Sequence, residues 1–193
     1  MFIGAGVAEW IKVTHKDVQI VKLTEKNDEY KLRHEILNVL KLKGLSLGQG
    51  IDIADILIKQ SKELDILVQL CLAVMGKESE FYPNAKSWAG AMGLMQLMPA
   101  TFDNYNKALK LGLGRQAAFD PIINVKIATH YLKDLLTEYK PKVKTETELW
   151  KKVLQVYSGG ANGYAEKVKK MEKEYDKKLT PVVENVTDSR AVR

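Results

Sequence analysis

Residues 78–101 carry the most informative run of the chain, which reads ESEFYPNAKSWAGAMGLMQLMPAT. The residues that lead into it, 64–80, are nearly continuous helix formers and predict a helix. Within the run, residues 85–98 hold two glycines with alanines beside them, which indicates a tightly packed loop or a short hairpin. A proline then opens a predicted helix over residues 99–110. The run therefore predicts two helices joined by a compact, small-residue connection.

The remainder of the chain is also predicted to be mainly helical. One short stretch, Val18–Leu23, alternates weakly between apolar and polar residues and is predicted as a strand. Asp120 followed by Pro121 is a strong helix start, because aspartate caps a helix and proline suits its first turn. Apolar periodicity predicts the other helices over residues 28–43, 52 to at least 57, 120–139, 147–157 and 162–178.

Glu78 lies at the end of an apolar face of the predicted helix over residues 64–80. Five apolar residues precede it on the same helical face, and these are Leu67, Leu70, Cys71, Val74 and Met75. Burial favours the neutral form of a carboxyl group, and the C-terminal end of a helix dipole acts in the same direction, so we expect a raised pKa. A neutral carboxylic acid is what a general acid needs to protonate a leaving oxygen. On periodicity alone, a helix-end glutamate that reaches solvent remains the alternative interpretation.

The same run resembles the signature of the soluble lytic transglycosylases, a lysozyme-like family. The family pattern reads E-S-x-F-x-P-x-A, then S-x-x-G-A-x-G-L-M-Q-L-M-P-x-T. Two further blocks follow in the expected order: DPIINVKIATHYL (120–132) resembles the family's D-P-x-x-N helix, and VYSGG (156–160) resembles its A-Y-N-x-G block. Ala128 stands where the family usually has glycine, and Ser158 where it usually has asparagine. The resemblance covers about residues 70–178.

The resemblance implies a mainly α fold, a lysozyme-like helical domain with a small loop or β-hairpin segment beside the active-site cleft. It implies that Glu78 is the single catalytic acid and base. In the family this glutamate protonates the glycosidic oxygen between N-acetylmuramic acid and N-acetylglucosamine of peptidoglycan, with help from the acetamido group of the muramic acid. It then takes the proton of the C6 hydroxyl as a 1,6-anhydro ring closes. No metal and no other cofactor is implied.

The resemblance also assigns four residues to substrate binding. Ser87 and Gln96 match polar positions that contact the substrate near the glutamate. Met98 matches a hydrophobic position at the cleft floor, and Tyr157 matches the tyrosine whose hydroxyl lies close to the glutamate. Structural alternatives stay open: a hydrogen bond to the loop backbone for Gln96, and core packing for Met98 and Tyr157. For Trp88, stacking on a sugar face, exposure without a ligand and packing in the core all stay open.

The composition excludes several other kinds of site. The chain of 193 residues has one cysteine and three histidines, so it holds no intramolecular disulfide, and no pair of histidines has metal-ligand spacing. No run reaches the roughly 18 apolar residues that a membrane span needs. The net charge is +6, and residues 139–178, with 11 lysines and six acidic residues, carry +5 of it. This region predicts solvated helices or attraction to an anionic wall polymer; nucleic acid is not expected, because no recognition motif accompanies the charge.

We predict three regions: an N-terminal helical extension of unknown role (1–65), a lytic transglycosylase domain (66–180) and a flexible tail (181–193). No basic stretch precedes the apolar residues 1–8, so they do not resemble an export signal. We therefore expect action on the cell wall as a phage endolysin or as a virion or tail component. The alternatives are a goose-type lysozyme, which hydrolyses the same bond with water, and an inactive wall-binding module.

Overall fold

The computed structural model describes residues 15–43 and 45–179, and this part of the chain is built from helices. No strand occurs within these ranges, so the prediction of a mainly α fold is confirmed. The predicted tail (181–193) and the apolar start (1–8) lie outside the described residues. The α-helices are α1 (His15–Leu42), α2 (Leu47–Leu64), α3 (Val68–Ser79), α4 (Pro99–Ala108), α5 (Pro121–Tyr139), α6 (Glu146–Tyr157) and α7 (Tyr164–Leu179), and two 3-10 helices cover Arg115–Phe119 and Lys140–Lys142.

The predicted strand over Val18–Leu23 is wrong, because these residues belong to α1. An isolated strand leaves its backbone N–H and C=O groups without partners, whereas a helix pairs them within the segment. Six residues of weak alternation are therefore outweighed by the helical pattern predicted over 28–43, which α1 contains up to Leu42.

α2 begins at Leu47, earlier than the predicted start at Asp52. Its N-cap is Ser46, whose hydroxyl accepts a hydrogen bond from the Gln49 N–H at 3.3 Å. The Gln49 side-chain oxygen accepts in return from the Ser46 N–H at 3.2 Å. This reciprocal capping box satisfies two N–H groups and holds a helical turn despite the two glycines, Gly48 and Gly50, which weaken a helix.

α3 is the central helix of the fold. The predicted helix over 64–80 is divided, because Asp65 adopts a left-handed conformation (φ 53°) and ends α2 before α3 starts at Val68. Six consecutive residues of α3, 70–75, are at most 2% exposed, so this helix is buried around its circumference rather than on one face. α7 packs along it. Apart from Gln69 in its first turn, α3 approaches the surface in its last turn, which contains Glu78.

The N-terminal helices share the hydrophobic core of the rest of the molecule. α2 packs against α5 and α1, and α1 also contacts α7. Ile36 and Leu40 of α1 and Ile53 and Leu57 of α2 belong to the same buried cluster as the α3 residues. The predicted division at residue 65 stays a prediction, with helices on both of its sides packed into one core.

The connection from α3 to α4 is held by a buried side chain of α5, Asn124. Its Oδ1 accepts a hydrogen bond from the Met95 N–H at 2.8 Å. Its Nδ2 donates to the carbonyls of Met92 at 2.9 Å and Ala118 at 2.7 Å. Two isolated antiparallel bridges, both involving Met92, are the only β-type pairing in this connection. The small-residue segment is thus a compact loop fixed from a neighbouring helix.

The C-terminal half follows its local sequence signals. The Asp120 Oδ1 caps α5 as predicted, accepting from the N–H groups of Ile122 at 2.8 Å and Ile123 at 3.0 Å. α4 begins at the predicted Pro99, and α7 begins at Tyr164. None of the described helices is both long enough and apolar enough to cross a bilayer.

Candidate active site

Two adjoining cavities meet at Glu78. The larger, of about 690 Å³, is lined by Lys43, Lys86 and Glu80 among others, and we call it the charged lobe. The smaller, of about 590 Å³, is lined mainly by apolar and aromatic side chains, and we call it the aromatic lobe. The two lobes share four lining residues, which are Lys77, Glu78, Ser87 and Gln96. They therefore form one groove with Glu78 at the junction.

The Glu78 carboxyl is half-buried and has one direct side-chain partner. The Tyr164 hydroxyl donates a hydrogen bond to Glu78 Oε1 at 2.5 Å. Burial raises the pKa of Glu78, while the Tyr164 hydrogen bond and the neighbouring Lys77 charge act in the opposite direction. The net direction is upward, which agrees with the expectation from the apolar helix. The group is suited to hold a proton and to give it up within the groove.

Tyr164 was not singled out by the sequence. It is the first residue of α7, it is buried, and it lines the aromatic lobe. Burial, and next the Glu78 charge, raise the pKa of Tyr164 far above its usual value, so its hydroxyl remains a donor. The one sequence signal for its role was its position directly after the glycine-rich turn at 159–163. Local spacing does not reveal its hydrogen bond to Glu78, because the two residues lie far apart in sequence.

Tyr157 supports the loop rather than Glu78 directly. Its hydroxyl donates to the Met95 carbonyl at 2.8 Å, and the direct tyrosine hydrogen bond to Glu78 comes from Tyr164. The Tyr157 ring stacks on Tyr131, with 5.4 Å between ring centroids, and both rings line the aromatic lobe. Burial and the Glu78 charge raise the pKa of Tyr157. Its role in substrate binding stays a prediction.

Ser87 and Gln96 line both lobes and also hold the loop together. The Ser87 hydroxyl accepts from the Ala91 N–H at 3.0 Å. The Gln96 amide donates to the carbonyls of Ala85 at 3.1 Å and Gly93 at 2.8 Å, which is the backbone contact left open by the sequence. No donor in the described ranges contacts the Gln96 Oε1, so this oxygen is available to a ligand. Both residues can thus bind a substrate with atoms the loop leaves free.

Met98 and Trp88 lie at the surface and not in the core. Met98 is the N-cap residue of α4, is 44% exposed and lines the aromatic lobe. Trp88 is fully exposed and lines neither lobe. Core packing is therefore excluded for both side chains, and contact with a ligand remains open for each.

Ser79 explains why a serine follows the glutamate in the sequence. Its hydroxyl donates to the Leu94 carbonyl at 2.7 Å and lies 3.2 Å from the Met75 carbonyl. This bond ties the last turn of α3 to the loop, and it holds the backbone next to Glu78 at a fixed distance from the groove wall. Within residues 15–43 and 45–179, no group of three His, Cys, Asp or Glu residues is placed to hold a metal ion.

Several known proteins resemble this chain in sequence. The family described as "Transglycosylase SLT domain" matches residues 55–180. The membrane-bound lytic murein transglycosylase C of Actinobacillus succinogenes is 34% identical over 106 residues, which are 53% of this chain and 30% of that protein. The Klebsiella pneumoniae protein of the same name is 38% identical over 104 residues, 52% of this chain and 29% of that protein.

A solved structure shares the fold. The lytic transglycosylase Slt of Pseudomonas aeruginosa, solved as an inactive mutant, superposes with a TM-score of 0.56 at 20% identity, over 64% of this chain and 24% of that chain. The chain spans about 30% of the length of the curated relatives it matches. Because the family match covers well over half of the chain, the chain belongs to the transglycosylase SLT domain family.

Proposed function

We propose that the protein is a peptidoglycan lytic transglycosylase that cleaves the β-1,4 bond between N-acetylmuramic acid and N-acetylglucosamine. The observation that carries this proposal is the position of Glu78, a half-buried carboxyl with a raised pKa at the junction of the two lobes. Among the described residues, it is the only carboxyl group that lines both lobes. Family membership and the names of the curated relatives support the same reaction.

The first step uses Glu78 as the acid. Its raised pKa keeps a proton available, and that proton goes to the glycosidic oxygen as the bond from the muramic acid C1 to that oxygen breaks. The positive charge left at C1 is stabilised by the acetamido group of the same sugar. Glu78 leaves this step as a carboxylate. The Tyr164 hydroxyl, which already donates to Oε1, then stabilises the new negative charge.

The second step uses the same carboxylate as the base. It takes the proton of the C6 hydroxyl while the C6 oxygen forms a bond to C1, which closes the 1,6-anhydro ring and restores neutral Glu78. No water is consumed, so the reaction needs no second carboxylate to activate one. In the described wall of the aromatic lobe, Glu78 is the only carboxyl group, in agreement with this chemistry.

Product analysis in isotopically labelled water tests the proposal. Purified peptidoglycan is incubated with the protein in water enriched in ¹⁸O, and the muropeptides are analysed by mass spectrometry. Lytic transglycosylation yields 1,6-anhydro ends without the label. Labelled reducing ends would instead show hydrolysis, as in a goose-type lysozyme. Binding to sacculi without any product would identify the chain as an inactive wall-binding module.

Glu80 is the residue that would favour the hydrolytic alternative. It lines the charged lobe and is the only other carboxylate there within the described ranges, so it is the candidate to hold a water molecule. Its side chain is exposed, and its backbone forms the left-handed end of α3 (φ 52°). We expect Glu80→Gln to keep anhydro products, with a rate within about threefold of wild type, because Glu80 is exposed and lies outside the aromatic lobe, and an exposed carboxylate contributes little. Loss of all product in Glu80→Gln would favour hydrolysis.

Tyr164→Phe is expected to change the pH profile of the reaction. The substitution removes the hydrogen bond that lowers the pKa of Glu78, so that pKa rises further and the alkaline limb of kcat moves to higher pH. We also expect kcat to fall about tenfold or more, because a hydrogen bond to the carboxylate is lost. Tyr157→Phe is the matched control, since its hydroxyl bonds to Met95 and its removal should leave the alkaline limb in place. Equal shifts in both variants would contradict the assigned role of Tyr164.

The proposed site of action is the cell wall, outside the cytoplasmic membrane. Attraction of the basic region (139–178) to anionic wall polymers, and a phage endolysin or virion context, stay predictions. The wall polymer prediction is checked by the salt dependence of binding to sacculi, because attraction between exposed charges weakens as ionic strength rises.

A further inference from the structure

The groove is charged on one side of Glu78 and nearly neutral on the other. Three lysines line the charged lobe, which are Lys43, Lys77 and Lys86, against the carboxyl groups of Glu78 and Glu80. In the described wall of the aromatic lobe, Lys77 and Glu78 are the only charged residues. When Glu78 holds its proton, the charged lobe therefore carries a clear positive excess.

The lysines of the charged lobe have no partner of opposite charge within the described ranges. No carboxylate there lies within 4.0 Å of the ammonium groups of Lys43, Lys77 or Lys86, although seven other ion pairs are formed. An array of unpaired ammonium groups around a cavity raises the local concentration of anions. A neutral sugar does not require such an array.

One side of the charged lobe comes from the N-terminal helices. Lys43 directly follows α1, and its ammonium group lies 5.7 Å from the centroid of the buried Phe81 ring. Gln49, which lines the same lobe, is fixed by its capping box with Ser46. Both Lys43 and Gln49 precede residues 55–180, which match the family. This wall of the groove therefore comes from outside the matched segment.

We propose that the charged lobe binds the free carboxylates of the peptide stem carried by a muramic acid of the glycan strand, with Lys43 and Lys86 as the specificity-determining residues. The inference rests on the proposed function. Peptide carboxylates are the negative charges that the proposed substrate carries next to its sugars, and ammonium groups pair with them without a fixed geometry. Glycan is held in the aromatic lobe and at the junction, and the peptide extends into the charged lobe. The N-terminal helices then serve to recognise the peptide.

The test compares two substrates and two proteins. One substrate is soluble glycan strands with intact peptide stems, and the other is the same strands with their carboxylates converted to N-methylamides. The variant is Lys43→Gln/Lys86→Gln, which keeps polar side chains at both exposed positions. We expect amidation to lower the wild-type kcat/KM by about fivefold, mainly through KM, and to leave that of the variant nearly unchanged. The variant on intact strands should equal the wild type on amidated strands.

The matched control is Lys26→Gln/Lys31→Gln, which removes the same charge from exposed positions of α1 that line neither lobe. It should respond to amidation as the wild type does. Provided that anhydro products still form, either of two results would overturn the inference. One is an equal loss of kcat/KM on amidation in the wild type and in Lys43→Gln/Lys86→Gln, and the other is no loss in the wild type. Absence of anhydro products from the wild type on both substrates would instead contradict the proposed function.

Discussion

Glu78→Gln is expected to lower the rate of anhydro-product formation about a thousandfold or more, while the protein stays folded. Glutamine has nearly the same shape and can still accept the hydrogen bond from Tyr164. It cannot donate a carboxylic proton or take one from the C6 hydroxyl, so both steps of the proposed reaction are lost. The measurement is the yield of anhydro-muropeptides over time at matched enzyme concentration.

The same variant has an expected signature in stability. Because burial raises the pKa of Glu78, the native protein binds more protons than the unfolded chain between the ordinary pKa of a glutamate and the raised one. Stability of the wild type therefore falls as pH rises through that window, and Glu78→Gln removes this loss. We expect the variant to match the wild type below the window and to be at least as stable above it, as measured by thermal unfolding at a series of pH values.

The matched control for Glu78→Gln is Glu174→Gln, on the exposed side of α7, which should keep activity and pH dependence. An inactive Glu78→Gln that is also clearly less stable than wild type at neutral pH would show that the loss comes from misfolding and not from chemistry. Retention of more than about a tenth of the activity would remove Glu78 from the role of general acid, because such groups contribute at least about a hundredfold.

Local signals in the sequence predicted the parts of the fold that depend on neighbouring residues. The Asp120 cap and the start of α4 at Pro99 were confirmed, because both depend on side chains within one turn. The capping box at Ser46 is equally local, yet the predicted helix began only at residue 52, because Gly48 and Gly50 are unfavourable inside a helix. Glu78 was indicated by its place on an apolar helix face as well as by the resemblance. Ser87, Gln96, Met98 and Tyr157 were named by the resemblance alone, and the structure brings all five to one groove.

The parts that the sequence did not predict depend on contacts between distant residues. The Tyr164–Glu78 hydrogen bond joins residues 86 positions apart, and no local spacing encodes it. The division of the groove into a charged and an aromatic lobe likewise requires Lys43, at the end of α1, to meet the loop after α3. Asn124 belongs to a recognised block, yet its three bonds to the loop and to Ala118 become visible only once α5 is packed.

Gly93→Ala is expected to destabilise the fold by about 4 kcal/mol or more. Gly93 has a φ of 76°, which alone costs an alanine about 1–2 kcal/mol. A Cβ at this position would also overlap the Ala118 carbonyl and the Asn124 amide and would lie 2.9 Å from the Asn124 Cγ. Relief of this overlap moves Asn124 and breaks buried hydrogen bonds, each of which costs about 1–3 kcal/mol when left unmade.

Gly90→Ala separates the cost of a positive φ from the cost of the Cβ overlap. Gly90 also has a positive φ, but no atom of the described residues lies close to the position of a new Cβ. Its φ is 85°, and the nearest atom to a new Cβ is the Pro99 Cγ at 3.8 Å. We therefore expect a loss of only about 1–2 kcal/mol in Gly90→Ala, measured by urea unfolding beside Gly93→Ala. Equal losses in the two variants would mean that the contact with Asn124 does not hold the loop. A much larger loss of unfolding free energy in Gly93→Ala would establish that α5 must approach Gly93 closely. The groove wall that carries Gln96 would then depend on the absence of a side chain at position 93.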